Sequence, residues 1–249
     1  MAADLLRVRD VTLEYERPEG AYVAVDGVSL AVREGERFVL FGPSGCGKST
    51  LLQAMAGFLQ PARGTIELDG RPVLGPGPDR AVVFQEFDQL LPWRTVLGNV
   101  AYPLRVARRM RDGDANAEAL HFVRLVGLEP FAGAHPHQLS GGMKQRVAIA
   151  RALAMSPRML LMDEPFASLD AITRHKLQED LLALLQQARI TLLFVTHSVE
   201  EAVLLGDRIL VLTSSPGRVR GVIENTATGA RHTAVSAQVR RAVEELLAG

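Results

Sequence analysis

The stretch with the most chemistry in it is GPSGCGKST, Gly42 to Thr50, which satisfies G-x-x-x-x-G-K-[ST] in full. Gly42, Gly45 and Gly47 let the loop wrap so that backbone N–H groups converge on phosphate oxygens, while Pro43, Ser44 and Cys46 fill the free positions. Lys48 brings a cation to the β and γ oxygens, the Ser49 hydroxyl suits magnesium, and Thr50 continues into a helix whose dipole adds to the attraction. LLMDEP supplies a second constellation: an apolar run delivers Asp163 where its carboxylate can hold a magnesium shell. Glu164 follows where it could polarise a water for in-line attack on a γ-phosphate. Strand alternation would point these two carboxylates to opposite faces, so both serve one nucleotide only if the strand ends there, as Pro165 suggests. A third candidate is LSGGMKQR, Leu139 to Arg146, where a serine and two glycines open a helix, a way to build a second anion site.

Elements must place these groups. RFVLF, Arg37 to Phe41, is a short apolar run feeding the glycine loop, and STLLQAMAGF is the helix after it. Before it, LLRVRDVTLEY and VDGVSLAV alternate and predict an antiparallel β region, with TIELDGRPV as another hairpin. GPGPDR is a loop, and AVVFQ a short buried strand that stops at Gln85. From Phe87 to about Ser156 helical spacing dominates, which predicts an inserted helical subdomain over about 87–156. Met159 to Glu164 returns to strand. A helix follows with Leu177, Leu181, Leu184 and Leu185 on one stripe, then the strand TLLFVTH. Strands alternating with helices predict an α/β fold with a mainly parallel sheet. RILVL and the segment after SSPGR read as closing strands, and VRRAVEELLA as a terminal helix.

Composition narrows the classes. The 249 residues, 47% of them hydrophobic, suffice for a sizeable core, and the whole chain reads as a single domain over 1–249. The 28 basic and 28 acidic residues cancel, so no nucleic-acid partner is expected. A single cysteine excludes an internal disulfide and a cysteine-cluster metal site. No run approaches the ~18 apolar residues of a membrane span, and MAADLLRVRDV lacks the charge and apolar core of a signal peptide. A membrane role would therefore be played through a partner.

Taken together, these residues resemble the ATP-binding subunits of ABC importers, over almost the whole chain and in the family's motif order. The resemblance identifies Gly42 to Thr50 as Walker A, Gln85 as the Q-loop and Leu139 to Gln145 as the signature. Met159 to Glu164 becomes Walker B, Ser168-Leu169-Asp170 the D-loop and His197 the switch histidine. It implies a P-loop NTPase ABC cassette with a mainly parallel core, an antiparallel β subdomain and a helical subdomain. ATP and Mg2+ are the implied cofactors. Glu164, His197 and Gln85 would be catalytic; Ser49, Gln85 and Asp163 would serve the metal. Nucleotide contacts would come from Tyr15, the Walker A residues, Ser140, Gly141, Gly142, Gln145 and Asp170. Tyr15 would stack on adenine, with Tyr22 as a rival. Two subunits would face head to tail, each ATP lying between one Walker A loop and the partner's LSGG helix, which explains why one chain carries two cradles. The signature has Met143 where many members have glutamine, with the anion-binding residues intact.

The resemblance also implies partners: an identical or related ATPase subunit, integral membrane permease subunits and, indirectly, a periplasmic solute-binding protein. The chain would sit on the cytoplasmic side of the inner membrane. QEFDQLLPWRTVLGNVAYPL would meet the permease, with LLPW either the apolar rim of that contact or an internal packing turn. LLPW, GPGPDR and LTSSPGR look most like the nitrate, sulfonate and taurine branch. The alternative is a soluble non-transport ABC ATPase, such as an iron-sulfur assembly ATPase.

Overall fold

The computed structural model describes residues 4–18, 20–85, 89–167, 169–188, 190–229 and 233–248. The chain forms two compact units, Met1–Gly77 with Ile190–Gly249, and Pro78–Arg189.

The first unit begins with two long strands, β1 (Asp4–Arg17) and β2 (Gly20–Arg33), paired antiparallel. Alternation decides which side is buried: Leu6, Val8, Val11 and Leu13 on β1 and Val25, Val28, Leu30 and Val32 on β2 are all buried. β4 (Arg63–Leu68) pairs antiparallel with β1 and carries the two-residue β5 (Arg71–Pro72), giving the order β2-β1-β4-β5. β3 (Arg37–Phe41) lies between β8 (Thr191–Thr196) and β9 (Arg208–Leu212), parallel to both. β10 (Val219–Glu224) closes this unit's sheet antiparallel to β9. α1 (Lys48–Ala56), α6 (Val199–Leu205) and α7 (Ala234–Ala248) complete the unit. At the entry to β3, Arg37 donates to both carboxylate oxygens of Asp207, at 2.7 and 3.2 Å. Arg208 meets Glu36 at 3.1 Å, and burial pushes the Glu36 carboxyl above its ordinary value.

In the second unit β6 (Arg80–Val83) and β7 (Met159–Asp163) pair in parallel. α2 (Val96–Val106), α3 (Asp112–Leu125) and α4 (Gly141–Ala154) fall between them in sequence, and α5 (Ala171–Ala188) follows β7. Small residues bury where helices meet: Ala115 and Ala119 on α3, and Ala148, Ala150, Ala152 and Ala154 on α4. The stripe on α5 goes inward, with Leu177, Leu181, Leu184 and Leu185 all under 8% exposed. Each such burial is worth about 1.5–3 kcal/mol. Among the described residues no helix is long and apolar enough to cross a membrane.

Candidate functional site

β3 is buried from Phe38 to Phe41 and stops there, where Gly42 opens the glycine loop. Gly47 has φ 91, a left-handed conformation that a side chain would strain. A Cβ there would also lie 2.6 Å from Val25 Cγ2 and 2.7 Å from the Ala24 carbonyl oxygen of β2. Helix α1 begins at the next residue, Lys48, which is only 4% exposed. The Lys48 ammonium donates to the carbonyls of Gly42 and Pro43, both at 2.8 Å, so its charge sits inside the curve of the loop. Pro43, Ser44, Gly45 and Ser49 are exposed around it, while Cys46 is buried. An exposed ring of backbone ending at a helix N-terminus, with a buried cation at its centre, suits a polyphosphate.

The back of the loop rests on the segment after β9. Gly217 donates its N–H to Ala24 O and accepts from Asp26 N–H, both at 3.0 Å. A Cβ on Gly217 would lie 2.1 Å from the Cys46 carbonyl oxygen. Only glycine allows so close an approach. Arg218 locks the segment to Asp26 with contacts of 2.6 and 2.9 Å. From the sequence LTSSPGR carries only a branch resemblance; its place behind the glycine loop was not legible, since its partner lies far away along the chain.

Strand register brings His197 to the same place. Phe41 pairs with Thr196, so Gly42 and His197 leave adjacent strands side by side at their carboxyl ends, where ligands of parallel sheets bind. The His197 turn is braced by Thr196 Oγ1, which donates to Glu201 and accepts from Ser198 N–H. Tyr15 and Tyr22 are direct cross-strand partners and so lie on one face of the β1–β2 pair. Tyr15 donates its hydroxyl to Thr50 Oγ1 at 3.1 Å, while Tyr22 and Ser215 share a hydrogen bond of 2.7 Å.

In the second unit the β6–β7 register does the same work. Val83 pairs with Met162, so Gln85 and the Asp163-Glu164 pair emerge from neighbouring strands at one end. Asp163 is 8% exposed and ends β7. Glu164 has φ 42, uncommon for a residue with a side chain, so the extended alternation breaks at the residue expected to end it. Among the described residues no cluster of three or more His, Cys, Asp or Glu could hold a metal alone. That donor set fits magnesium held mainly by phosphates and water with one or two side chains.

Ser140 caps α4, its hydroxyl accepting from Met143 N–H at 3.3 Å. Ser140 is exposed, Gly141 half-buried and Gly142 buried. A Cβ on Gly142 would meet Thr173 Cγ2 at 2.5 Å, so the second glycine lets α4 and the start of α5 approach. Gln145 is fully buried on α4, unlike the exposed Ser140. Asp170 accepts from the N–H groups of Ile172 and Thr173 at the head of α5; hydrogen bonding to Thr173 holds its carboxyl below the ordinary aspartate value. Ser168 of the expected D-loop and residues 86–88 after Gln85 lie outside the described residues. In LLPW, Leu90 turns inward at 4% exposure while Trp93 is 71% exposed, so the segment both packs and presents a face. Asn99, fully buried, holds this turn, accepting from Leu91 N–H and donating to the carbonyls of Leu91, Arg94 and Thr95.

The family model described as ABC transporter matches residues 25–167. The chain belongs to the ABC transporter family, as an ATP-binding subunit with the ABC cassette fold and ABC-type ATPase activity. It is 54% identical over 196 residues to the taurine import ATP-binding protein TauB of Rhizobium johnstonii, covering 79% of this chain and 74% of that one. With the nitrate import ATP-binding protein NrtD of Synechococcus elongatus it shares 47% identity over 210 residues, 84% of this chain and 76% of the relative. Among solved structures, the dimeric ATP-binding cassette MJ0796 in a post-hydrolysis state bound to ADP and Pi matches with a TM-score of 0.78 at 34% identity. The match covers 88% of this chain and 98% of that one.

Proposed function

We propose that the chain hydrolyses ATP to power import of a small anionic or zwitterionic solute of the nitrate, taurine or bicarbonate type, by closing and opening against a second ATPase subunit. The observation that carries this reading is the buried Lys48 ammonium inside an exposed backbone ring, in a chain 47–54% identical to proteins named for nitrate, bicarbonate and taurine transport. Lys48 and the amides of Gly45 to Ser49 bind the β- and γ-phosphates, and Tyr15 meets the adenine face. Glu164 accepts the proton of the attacking water as its oxygen bonds the γ-phosphorus and the bond to ADP breaks. His197 and Gln85 orient that water and the γ-phosphate. Ser49, Asp163 and Gln85 would hold Mg2+, which when bound neutralises charge on the β- and γ-oxygens.

Ser140, Gly141 and Gly142 of one copy complete the γ-phosphate shell of the other, with Asp170 and Gln145 supporting that face. ATP then favours the closed pair by mass action, and hydrolysis removes the charge that holds it. The remaining partners are membrane permease subunits, met through the Trp93 face, and a periplasmic solute-binding protein reached through them. The chain works at the cytoplasmic side of the membrane. Glu164→Gln tests the engine: ATP binding should persist, hydrolysis should fall by at least ~10²-fold, and an ATP-bound dimer should accumulate in sedimentation. Near-normal turnover would remove Glu164 from its role. Stimulation of the permease-bound complex by nitrate, taurine or bicarbonate, assayed one at a time, identifies the solute.

A further inference from the structure

Phe84 and Gln85 follow β6, and the Phe84 backbone is held by a residue outside every motif. Gln89 turns its carboxamide back onto Phe84: Nε2 donates to the Phe84 carbonyl at 2.9 Å, and Oε1 accepts from the Phe84 N–H at 3.2 Å. One side chain thus offers Phe84 the donor and acceptor that a neighbouring strand would supply, just where β6 has ended. The Gln89 carbonyl in turn accepts from Arg151 Nη1 at 2.6 Å. Arg151 belongs to α4, and burial holds its pKa below the ordinary arginine value. A charge-assisted bond in such surroundings is among the stronger single contacts a protein makes.

α4 is one helix from its Ser140 cap to Ala154, so Arg151 lies about 16 Å along the same rod from the signature serine. At the other end of the chain of bonds, the β6–β7 register sets Phe84 beside Asp163. Whatever fixes the Phe84 backbone therefore fixes where Gln85 stands relative to Asp163 and Glu164.

We propose that Arg151 and Gln89 are positioning residues that link the signature helix to Gln85: Arg151 holds the Gln89 carbonyl, and the Gln89 carboxamide holds Phe84. A displacement of α4, such as docking of Ser140 on a second copy's nucleotide, is passed to Gln85 as a shift against the two carboxylates. The proposal rests on the function proposed above, in which Gln85 acts at the nucleotide.

Steady-state ATP hydrolysis and binding of a fluorescent ATP analogue, measured on the full chain, test it. Gln89→Leu should lower kcat on the order of tenfold or more, while analogue affinity, set by the Lys48 cradle, stays within about twofold of the wild type. The double variant with Gln85→Ala should be no slower than the slower single variant, because both act through one group. Arg151→Lys, which keeps a cationic donor, should recover part of what Arg151→Met loses. Gln89→Glu can still accept from Phe84 N–H but, ionised, cannot donate to its carbonyl; it should fall between wild type and Gln89→Leu, and it carries the test if Gln89→Leu does not fold. Losses that multiply in the double variant, or a lower melting temperature with unchanged kcat, overturn the linkage. Gln85→Ala at the wild-type rate would instead strike at the role of Gln85 and take the linkage with it. Gln85→Ala slow beside Gln89→Leu and Gln89→Glu at the wild-type rate overturns the linkage alone.

Discussion

Gly217→Ala should weaken nucleotide binding from behind the cradle, without touching any group that meets the phosphates. The added methyl would lie 2.1 Å from the Cys46 carbonyl oxygen and 3.3 Å from its carbon. An ordinary carbon–oxygen contact is about 3.3–3.6 Å, so one side must retreat by roughly 1.2 Å. Gly217 cannot easily give way, because its N–H and C=O are both bonded to β2. The Cys46 carbonyl yields instead, and peptide planarity makes the Gly47 N–H turn with it. In the proposed function that N–H is one of the cradle's phosphate donors. Overpacking of this kind costs about 1–3 kcal/mol. Released as lost binding, the cost corresponds to roughly a fivefold to 150-fold rise in Kd. Titration with a fluorescent ATP analogue measures it, with melting temperature taken without nucleotide as the control for folding. Arg218→Ala, which removes only an exposed ion pair, should cost at most about 1 kcal/mol of stability and little affinity. A well-folded Gly217→Ala chain with wild-type affinity would refute the argument that the segment after β9 sets the loop.

Lys48→Ala removes charge-assisted contacts worth about 1.5–3 kcal/mol, so nucleotide affinity should fall roughly tenfold to a hundredfold; equilibrium dialysis with labelled ATP checks it. Ser140→Arg should act in trans: linked to a Lys48→Ala copy it should leave one working site of two by single-turnover hydrolysis, and no working site would contradict the head-to-tail pairing. Ile172, 84% exposed just after Asp170, should lie in that pairing; Ile172→Ser should weaken the ATP-bound dimer in sedimentation while leaving analogue binding to the monomer unchanged.

The glycine loop was legible because everything it needs is local: a buried strand, three glycines and a helix start occupy consecutive residues. The same holds for the break at Glu164, where Pro165 signalled the strand end now seen as a left-handed residue. The α5 stripe and the long β1–β2 pair followed from periodicity alone. Pairings between distant segments could not be read. Tyr15 and Tyr22 looked like rivals, and only the β1–β2 register shows them to be neighbours on one face. Gln89 lay in a segment expected to meet the permease and Gly217 in one marked only by a branch resemblance, since the groups they touch are identified by tertiary approach. The short helix α6 also went unread, although Ser198 caps it and Glu200 and Glu201 fill its first turn. Gln145 shows the converse difficulty. Sequence groups it with the exposed signature, whereas helical rotation carries it fully inside.

Each unit places its polar groups by the same device. In the first, Gly42 and His197 stand one residue past the paired Phe41 and Thr196; in the second, Asp163 stands one residue past Met162 and Gln85 two past Val83. These strands are buried on both faces, so their register is held by close packing, in which a one-residue slip would bring side chains of different size against each neighbour. The spacing of the proposed site groups is therefore set first by the hydrophobic core, and the loops beyond refine it where they are braced. Core substitutions in β3 or β7 that preserve stability but shift register would damage the site without touching it. Substitutions in loop residues that neither bond a strand end, back the cradle nor supply a proposed site group such as Gln85, Ser140 or His197 would be tolerated. Gln89 and Gly217 fall outside that tolerant group: one extends the ladder by a residue, and the other presses on the glycine loop.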